Sequence, residues 1–421
     1  MGSAALNQGA RYSALRSRNF SLLWIGLIVS NAGTWMQNVA SGWLVLQLTD
    51  SPLWLGLLGL SFALPMIVLP VVGGAVVDRV HRIRLLYVTQ TGSMLLAFTL
   101  ALLTWLNLVN VWHLLAVSFL GAALLAFDNP ARQALLPELV PPADLMNAIS
   151  LNSATYNGAA LVGPAIAGAL LGPLGAGTLF FLNGVSYLAV IFALLAMRDV
   201  RSHGGGKTTS LRASMWAGLA HAANHRFILA LLALSALAGI FGRSYQNLLP
   251  VFARDIWNGG PAGYGILLSS AGGGALLGAL GMASVKSPSK PERVMLASGL
   301  LFGLALFAFA LSPNLILGAL LLFVSGTAST VFGTMIATFV QLSTPNELRG
   351  RVMSLYAITL IGLPSLGALG SGAVAEWLGG IVGAPRAVLA GALVVCLILI
   401  GVTPYFARRP MARHTNPSFR G

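Results

Sequence analysis

Charge is what this sequence has least of. Only 8% of its 421 residues are Asp, Glu, Lys or Arg, and only ten are acidic. A domain that meets water on every side carries roughly 25% charged residues, so a water-soluble globule is excluded. Cysteine is nearly absent: Cys396 stands alone in an apolar run, and no intrachain disulfide can form. The six histidines are scattered and supply no cluster for a metal ion or for an intramembrane enzyme. No Gly-x-x-x-x-Gly-Lys-[Ser/Thr] stretch exists to cradle a nucleoside triphosphate, which argues against direct use of ATP. The first 19 residues are polar, without an apolar core and small-residue cleavage site, so the first helix is expected to act as the targeting signal. No enzymatic activity, cofactor or metal is expected.

What remains is apolar: 57% of the residues are hydrophobic and mean hydropathy is +0.83. A helix needs about 20 apolar residues to cross roughly 30 Å of hydrocarbon. Twelve such segments occur, at about 20–48, 53–77, 84–106, 111–131, 146–172, 177–197, 227–252, 262–285, 291–311, 314–342, 349–378 and 385–407. The longest polar stretch, 198–226, reads as a flexible linker. It divides the chain into a six-helix bundle over 1–197 and a second over 227–421 that includes the tail.

The net charge of +14 is a topology signal rather than a nucleic-acid footprint. All but three of the 24 Lys and Arg fall in the termini, the linker and alternate loops; the exceptions are Arg243, Arg254 and Arg386. Basic loops stay in the cytoplasm, so both termini are expected on the cytoplasmic side of a bacterial inner membrane, with lipid headgroups as partners. The two halves also echo each other. Pro142-Ala143-Asp144-Leu145 precedes the fifth helix and Pro345-Asn346-Glu347-Leu348 the eleventh, 203 residues later. Each leads into a long helix expected to be interrupted, at Gly163-Pro164 and at Leu363-Pro364.

The loop between the second and third helices runs from Gly73 to Arg84. Glycine at Gly74 lets helix ends approach, Asp78 can accept hydrogen bonds from a helix N-terminus, and Arg79, Arg82 and Arg84 can pair with carboxylates or lipid phosphates. These residues resemble the loop signature of the major facilitator superfamily, Gly-x-x-x-Asp-Arg-x-Gly-Arg-basic. His81 replaces the second glycine, and the last basic residue falls at Arg84. The resemblance implies an all-α polytopic fold of twelve transmembrane helices in two six-helix pseudo-repeats, working as a monomer. It also implies that this loop latches the halves together, with Asp128 as a partner for Arg79.

Gly158, Gly163, Pro164 and Gly168 of the fifth helix look like the Gly-Pro motif of the superfamily's antiporters, which implies export. Further matches, among them Thr49-Asp50-Ser51-Pro52, Asp128-Asn129-Pro130-Ala131 and Gly263-Tyr264-Gly265, resemble the branch containing the enterobactin exporter and macrolide efflux pumps. One departure is the fourth helix, which lacks the buried arginine of many proton-coupled relatives.

Polar residues inside spans should face a cavity or one another. Asn31, Thr34 and Asn38 share one face of the first helix, flanked by Trp35 and Gln37, and Asn152 and Tyr156 lie a turn apart on the fifth. Arg243, Gln246 and Asn247 share a face of the seventh if that helix is regular. The resemblance places the first and seventh helices around the substrate cavity. Arg243 is the one cation within a span, a placement that costs roughly 2.5–3.5 kcal/mol on insertion scales. Either Glu376 neutralises it, or it attracts an anionic or catechol-like substrate. The expected function is export of a small amphipathic molecule, siderophore- or drug-like, by alternating access with proton antiport. The alternatives are an uptake permease for a metabolite and a lipid flippase on the same fold.

Overall fold

The computed structural model describes residues 13–77, 79–198, 219–284 and 290–407. Asp78, from the expected latch, therefore lies outside the described residues. The described chain is helical without a strand, because in lipid every backbone polar group must be satisfied within its own segment.

The helices are α1 (Arg18–Thr49), α2 (Pro52–Val77), α3 (Arg82–Trp105) and α4 (Val111–Leu139), followed by one helical run, Leu145–Ala196. That run breaks at Gly175, whose φ of +75° is open to glycine at little cost; we call the parts before and after it α5 and α6. Next come α7 (Arg226–Ile256), α8 (Gly260–Ser284), α9 (Pro291–Ala310) and α10 (Leu315–Ser343). The helix α11 is a pair, Asn346–Ile361 and Leu363–Trp377, and α12 is Gly383–Ala407.

Among the described residues, ten segments are long and apolar enough to cross a membrane. One of them, Pro142–Ala196, is 55 residues long and comprises α5 and α6. The 32-residue α1 is not among the ten, since Asn31, Gln37 and Asn38 dilute its hydropathy. With both taken into account the spans number twelve, as the sequence implies.

Two boundaries differ from the hydropathy reading. The helix α5 passes through Gly163-Pro164 without a break; non-helical geometry appears only at Gly175. Proline removes one hydrogen bond, which a long, packed helix tolerates. The helix α4 continues past residue 131 to Leu139, through Pro130 and Pro137. Its last two turns carry Arg132, Gln133 and Glu138, so the apolar signal ends before the helix does.

The chain forms two compact units, the first Met1–Leu44 with Leu64–Thr208 and the second Val45–Ala63 with Thr209–Gly421. In the first, Phe20, Leu23 and Leu27 of α1 are buried with Leu86 of α3, Leu135 of α4 and Val190 of α6. In the second, Phe252, Trp257 and Phe309 stack with ring centroids 4.7–5.6 Å apart. Many large apolar side chains stay exposed, Ile316 at 73% and Leu397 at 66% among them. Such exposure marks a surface whose solvent is lipid.

Ahead of α7, His221 and His225 stack with ring centroids 3.9 Å apart. Burial, and then the charge of His225, push the His221 imidazole below its ordinary value. Its unfolded form therefore binds a proton more readily than its folded form. Stability from this pair is complete above about pH 6.5 and falls as pH drops below it. Thermal unfolding of His221→Gln should accordingly lose part of the wild-type difference between pH 7.5 and pH 5.5.

Candidate functional site

Polar residues in the first unit gather at one end of α3 and α4. Asp128 is 2% exposed. Its carboxylate accepts from Thr89 Oγ1 and Gln90 Nε2, both at 2.8 Å, and pairs with Arg132 one turn along α4. Two helices thus jointly satisfy a charge that would be costly alone. Arg82 donates from Nη1 to the carbonyl oxygen of Ala134 (3.0 Å) and pairs with Glu138. Arg79 and Arg84 are exposed, and Gly74 lies in α2. Asp128 was expected to partner Arg79, whereas in the structure Arg132 holds that carboxylate. An (i, i+4) acid–base pair on one helix was the signal for Arg132, and Glu138 escaped because it follows the apolar run.

In the same unit, α1 lies close against α5 and α6. A Cβ added at Gly163 would sit 2.5 Å from Trp35 Cβ, and one at Gly33 would sit 2.4 Å from Ser186 Oγ. The motif glycine is therefore a contact point between helices. Pro164 and Gly168 are buried beside it, whereas a Cβ at Gly158 would meet nothing within 4 Å. Gln37 Oε1 accepts from Asn183 Nδ2 at 2.7 Å, a bond that ties α1 to α6. The hydroxyls of Thr34 and Tyr187 lie 3.5 Å apart, and the rings of Trp35 and Tyr156 are 6.4 Å apart. Asn31 and Asn152 are half-buried, while Asn38 and Tyr156 are exposed.

The seventh helix is not regular. It runs as α-helix to Leu237, as π-helix over Ala238–Gly242, as 3-10 helix over Arg243–Leu248, and again as π-helix over Phe252–Ile256. Pro250 lacks the N–H that would bond the Gln246 carbonyl. Gly239 and Gly242 supply room: a Cβ at Gly239 would lie 2.8 Å from the Thr359 carbonyl oxygen. The face expected for Arg243, Gln246 and Asn247 is thus redrawn, since a 3-10 turn eclipses residues three apart. Arg243 and Asn247 are half-buried and Gln246 is exposed.

A second polar group in this unit joins the end of α1 and the start of α2 to α7 and α11. Arg254 bridges Asp50 (2.7 Å) and Asp255 (2.9 Å) and donates to the Leu46 carbonyl oxygen. Ser51 Oγ donates to Glu376 Oε2 at 2.7 Å. Because the Asp50 side chain is 71% exposed, Asp50→Asn should cost no more than about 1 kcal/mol. Thermal unfolding at low and high salt would check this, with the difference from wild type shrinking at high salt.

A family model described as transmembrane secretion effector matches residues 9–418. The chain belongs to that family, within the major facilitator superfamily. It is accordingly a membrane transporter and not an enzyme. It is 28% identical over 411 residues to the multidrug efflux pump Tap of Mycolicibacterium fortuitum, covering 92% of this chain and 95% of that one. It is also 28% identical over 342 residues to the enterobactin exporter EntS of Shigella boydii, covering 77% and 79%. Its fold matches a bacterial homologue of the human lysosomal transporter Spinster in the inward-facing, unoccupied conformation, with a TM-score of 0.76, 15% identity, and 96% and 99% of the chains covered.

Proposed function

We propose that this transporter exports a small amphipathic molecule, drug- or siderophore-like, across the bacterial cytoplasmic membrane by alternating access in exchange for protons. Similarity to a multidrug efflux pump over nearly the whole chain carries the reading. The tight seat of Gly163 against Trp35 supports it, because small residues let helices pack and shift where larger ones would lock them. The protein works as a monomer, with lipid, protons and the transported molecule as its partners. Asn31, Thr34, Asn38, Asn152, Tyr156, Gln246 and Asn247 are proposed to contact that molecule.

The test is accumulation of amphipathic dyes and macrolides in an efflux-deficient host. Cells expressing the protein should hold less of at least one compound, and a protonophore should restore its level. Higher accumulation on expression would reverse the direction and favour an uptake permease. Both termini are proposed to be cytoplasmic, so reporter fusions after residue 205 and at the C-terminus should report cytoplasm, and one near Pro313 the opposite side. The latch reading predicts that Asp78→Asn inserts normally but lowers efflux at least tenfold. Efflux at the wild-type rate would reduce that loop to a topology signal.

A further inference from the structure

We propose that Asn183 of α6 positions the Gln37 amide of α1 as a fixed hydrogen-bond donor toward the transported molecule. The first unit then selects an uncharged solute with an oxygen acceptor, a carbonyl or an ether, over one that offers only donors. The inference rests on the transport reading and adds a ligand class to it. Gln37 is half-buried and lies well inside α1, which runs from Arg18 to Thr49.

A glutamine amide has two unlike ends, an acceptor oxygen and a donor nitrogen. Left free, it can turn either one to a ligand. Here the oxygen is occupied: Gln37 Oε1 accepts from Asn183 Nδ2 at 2.7 Å. Asn183 is 0% exposed, and its own oxygen is held on the other side. Ser186 Oγ donates to the Asn183 backbone carbonyl oxygen at 2.7 Å and to Oδ1 at 3.1 Å. Gly33 of α1 closes that same side, where an added Cβ would stand 2.7 Å from Asn183 Oδ1. The Cα–H groups of a glycine accept an oxygen at close approach, whereas an amide N–H turned toward them would clash. Nδ2 is therefore the end that faces Gln37.

That leaves Gln37 Nε2. Among the described residues nothing accepts from it, yet it is not one of the unpartnered polar atoms sealed inside the protein. It therefore opens outward from the packed helices. An N–H pair is costly against hydrocarbon, so at this depth it meets water or a solute. The neighbouring polar groups add no competing preference. Thr34 spends its hydroxyl on the Ser30 carbonyl oxygen at 2.9 Å, and Asn38, exposed and held by no described residue, can offer either end of its amide. A site with one fixed donor rejects a solute that leaves that donor unpaired.

Purified full-length protein in detergent tests this without transport, with two flat bicyclic probes of similar size. Coumarin carries a lactone carbonyl and no donor, and indole carries an N–H and no oxygen. Coumarin should raise the temperature at which helical circular dichroism is lost, in a saturable way, and indole should not. Gln37→Leu should weaken the apparent affinity for coumarin at least tenfold. Asn183→Leu should weaken it as much with Gln37 still present, and the double variant should be no worse than Gln37→Leu alone. Such a cycle separates positioning from a merely structural role, whose effect would add to that of Gln37→Leu. Gly33→Ala is a second route if Asn183→Leu does not fold: its Cβ displaces Asn183 Oδ1 and should weaken coumarin binding with both amides in place. Equal coumarin shifts in wild type and Gln37→Leu would overturn the donor, and indole protecting as well as coumarin would overturn its polarity. Additive losses in the double variant would overturn the role of Asn183. Failure of coumarin to bind while efflux of other compounds persists would remove the inference and leave the exporter reading; loss of all efflux with coumarin binding intact would do the reverse.

Discussion

Leucine at Gly274 or Gly326 is expected to remove folded protein from the membrane altogether. These glycines lie where α8 crosses α10. A Cβ at Gly274 would stand 1.9 Å from the Phe323 carbonyl oxygen, and one at Gly326 would stand 2.1 Å from the Ala271 carbonyl oxygen. Both obstacles are backbone, so no rotamer change relieves them and the helices must separate. Overpacking ordinarily costs about 1–3 kcal/mol. Here, with loss of the close approach that holds helices together in lipid, more than about 3 kcal/mol is expected. Gly281, also on α8, has nothing within 4 Å of its added Cβ, so Gly281→Leu is the control. Fluorescence-detected size exclusion of detergent extracts should show a monodisperse peak for Gly281→Leu and none for the other two. A normal peak for Gly274→Leu would mean that α8 and α10 do not cross this closely.

Asp128→Ala should be nearly as damaging, for an electrostatic reason. It strips Arg132, whose side chain is 15% exposed, of its carboxylate and leaves the donors on Thr89 and Gln90 without their acceptor. Removing one member of a buried pair costs about 3–5 kcal/mol, mostly through the charge left behind. The double variant Asp128→Ala/Arg132→Ala should therefore be more stable than Asp128→Ala alone. Arg79→Ala, at an exposed position, should change the unfolding temperature little. If Arg79→Ala matched Asp128→Ala and Arg132→Ala were harmless, the carboxylate would belong to the loop arginine after all.

These two sites differ in how visible they were beforehand. Asp128 stood out as a carboxylate near the end of an apolar helix, yet its partner was misassigned. The spacing rule that favours Arg132 operates on a helix, and hydropathy ended that helix at residue 131, just before Arg132 and eight residues short of its end at Leu139. Gly274 and Gly326 were two glycines among 49. Nothing local separates them from Gly281, because the difference lies in which helix passes over them. The regular face drawn for Arg243, Gln246 and Asn247 fell to a similar cause. Pro250 and the nearby glycines permit several windings of α7, and packing against its neighbours selected the one with π and 3-10 turns.

The number of spans, the break between α5 and α6, the division at α11 and the family were all readable along the chain. Each depends on quantities that add up locally: transfer of apolar side chains into lipid, the conformational freedom of glycine, the missing N–H of proline, and residue types at short spacing. Only the tertiary structure decided that Arg132 rather than Arg79 holds Asp128, that Gln37 is taken by Asn183, and that Glu376 meets Ser51. Those outcomes turn on which side chains distant in sequence come within about 3 Å of one another. In lipid, where greasiness does not distinguish one helix neighbour from another, close packing and hydrogen bonding made that choice.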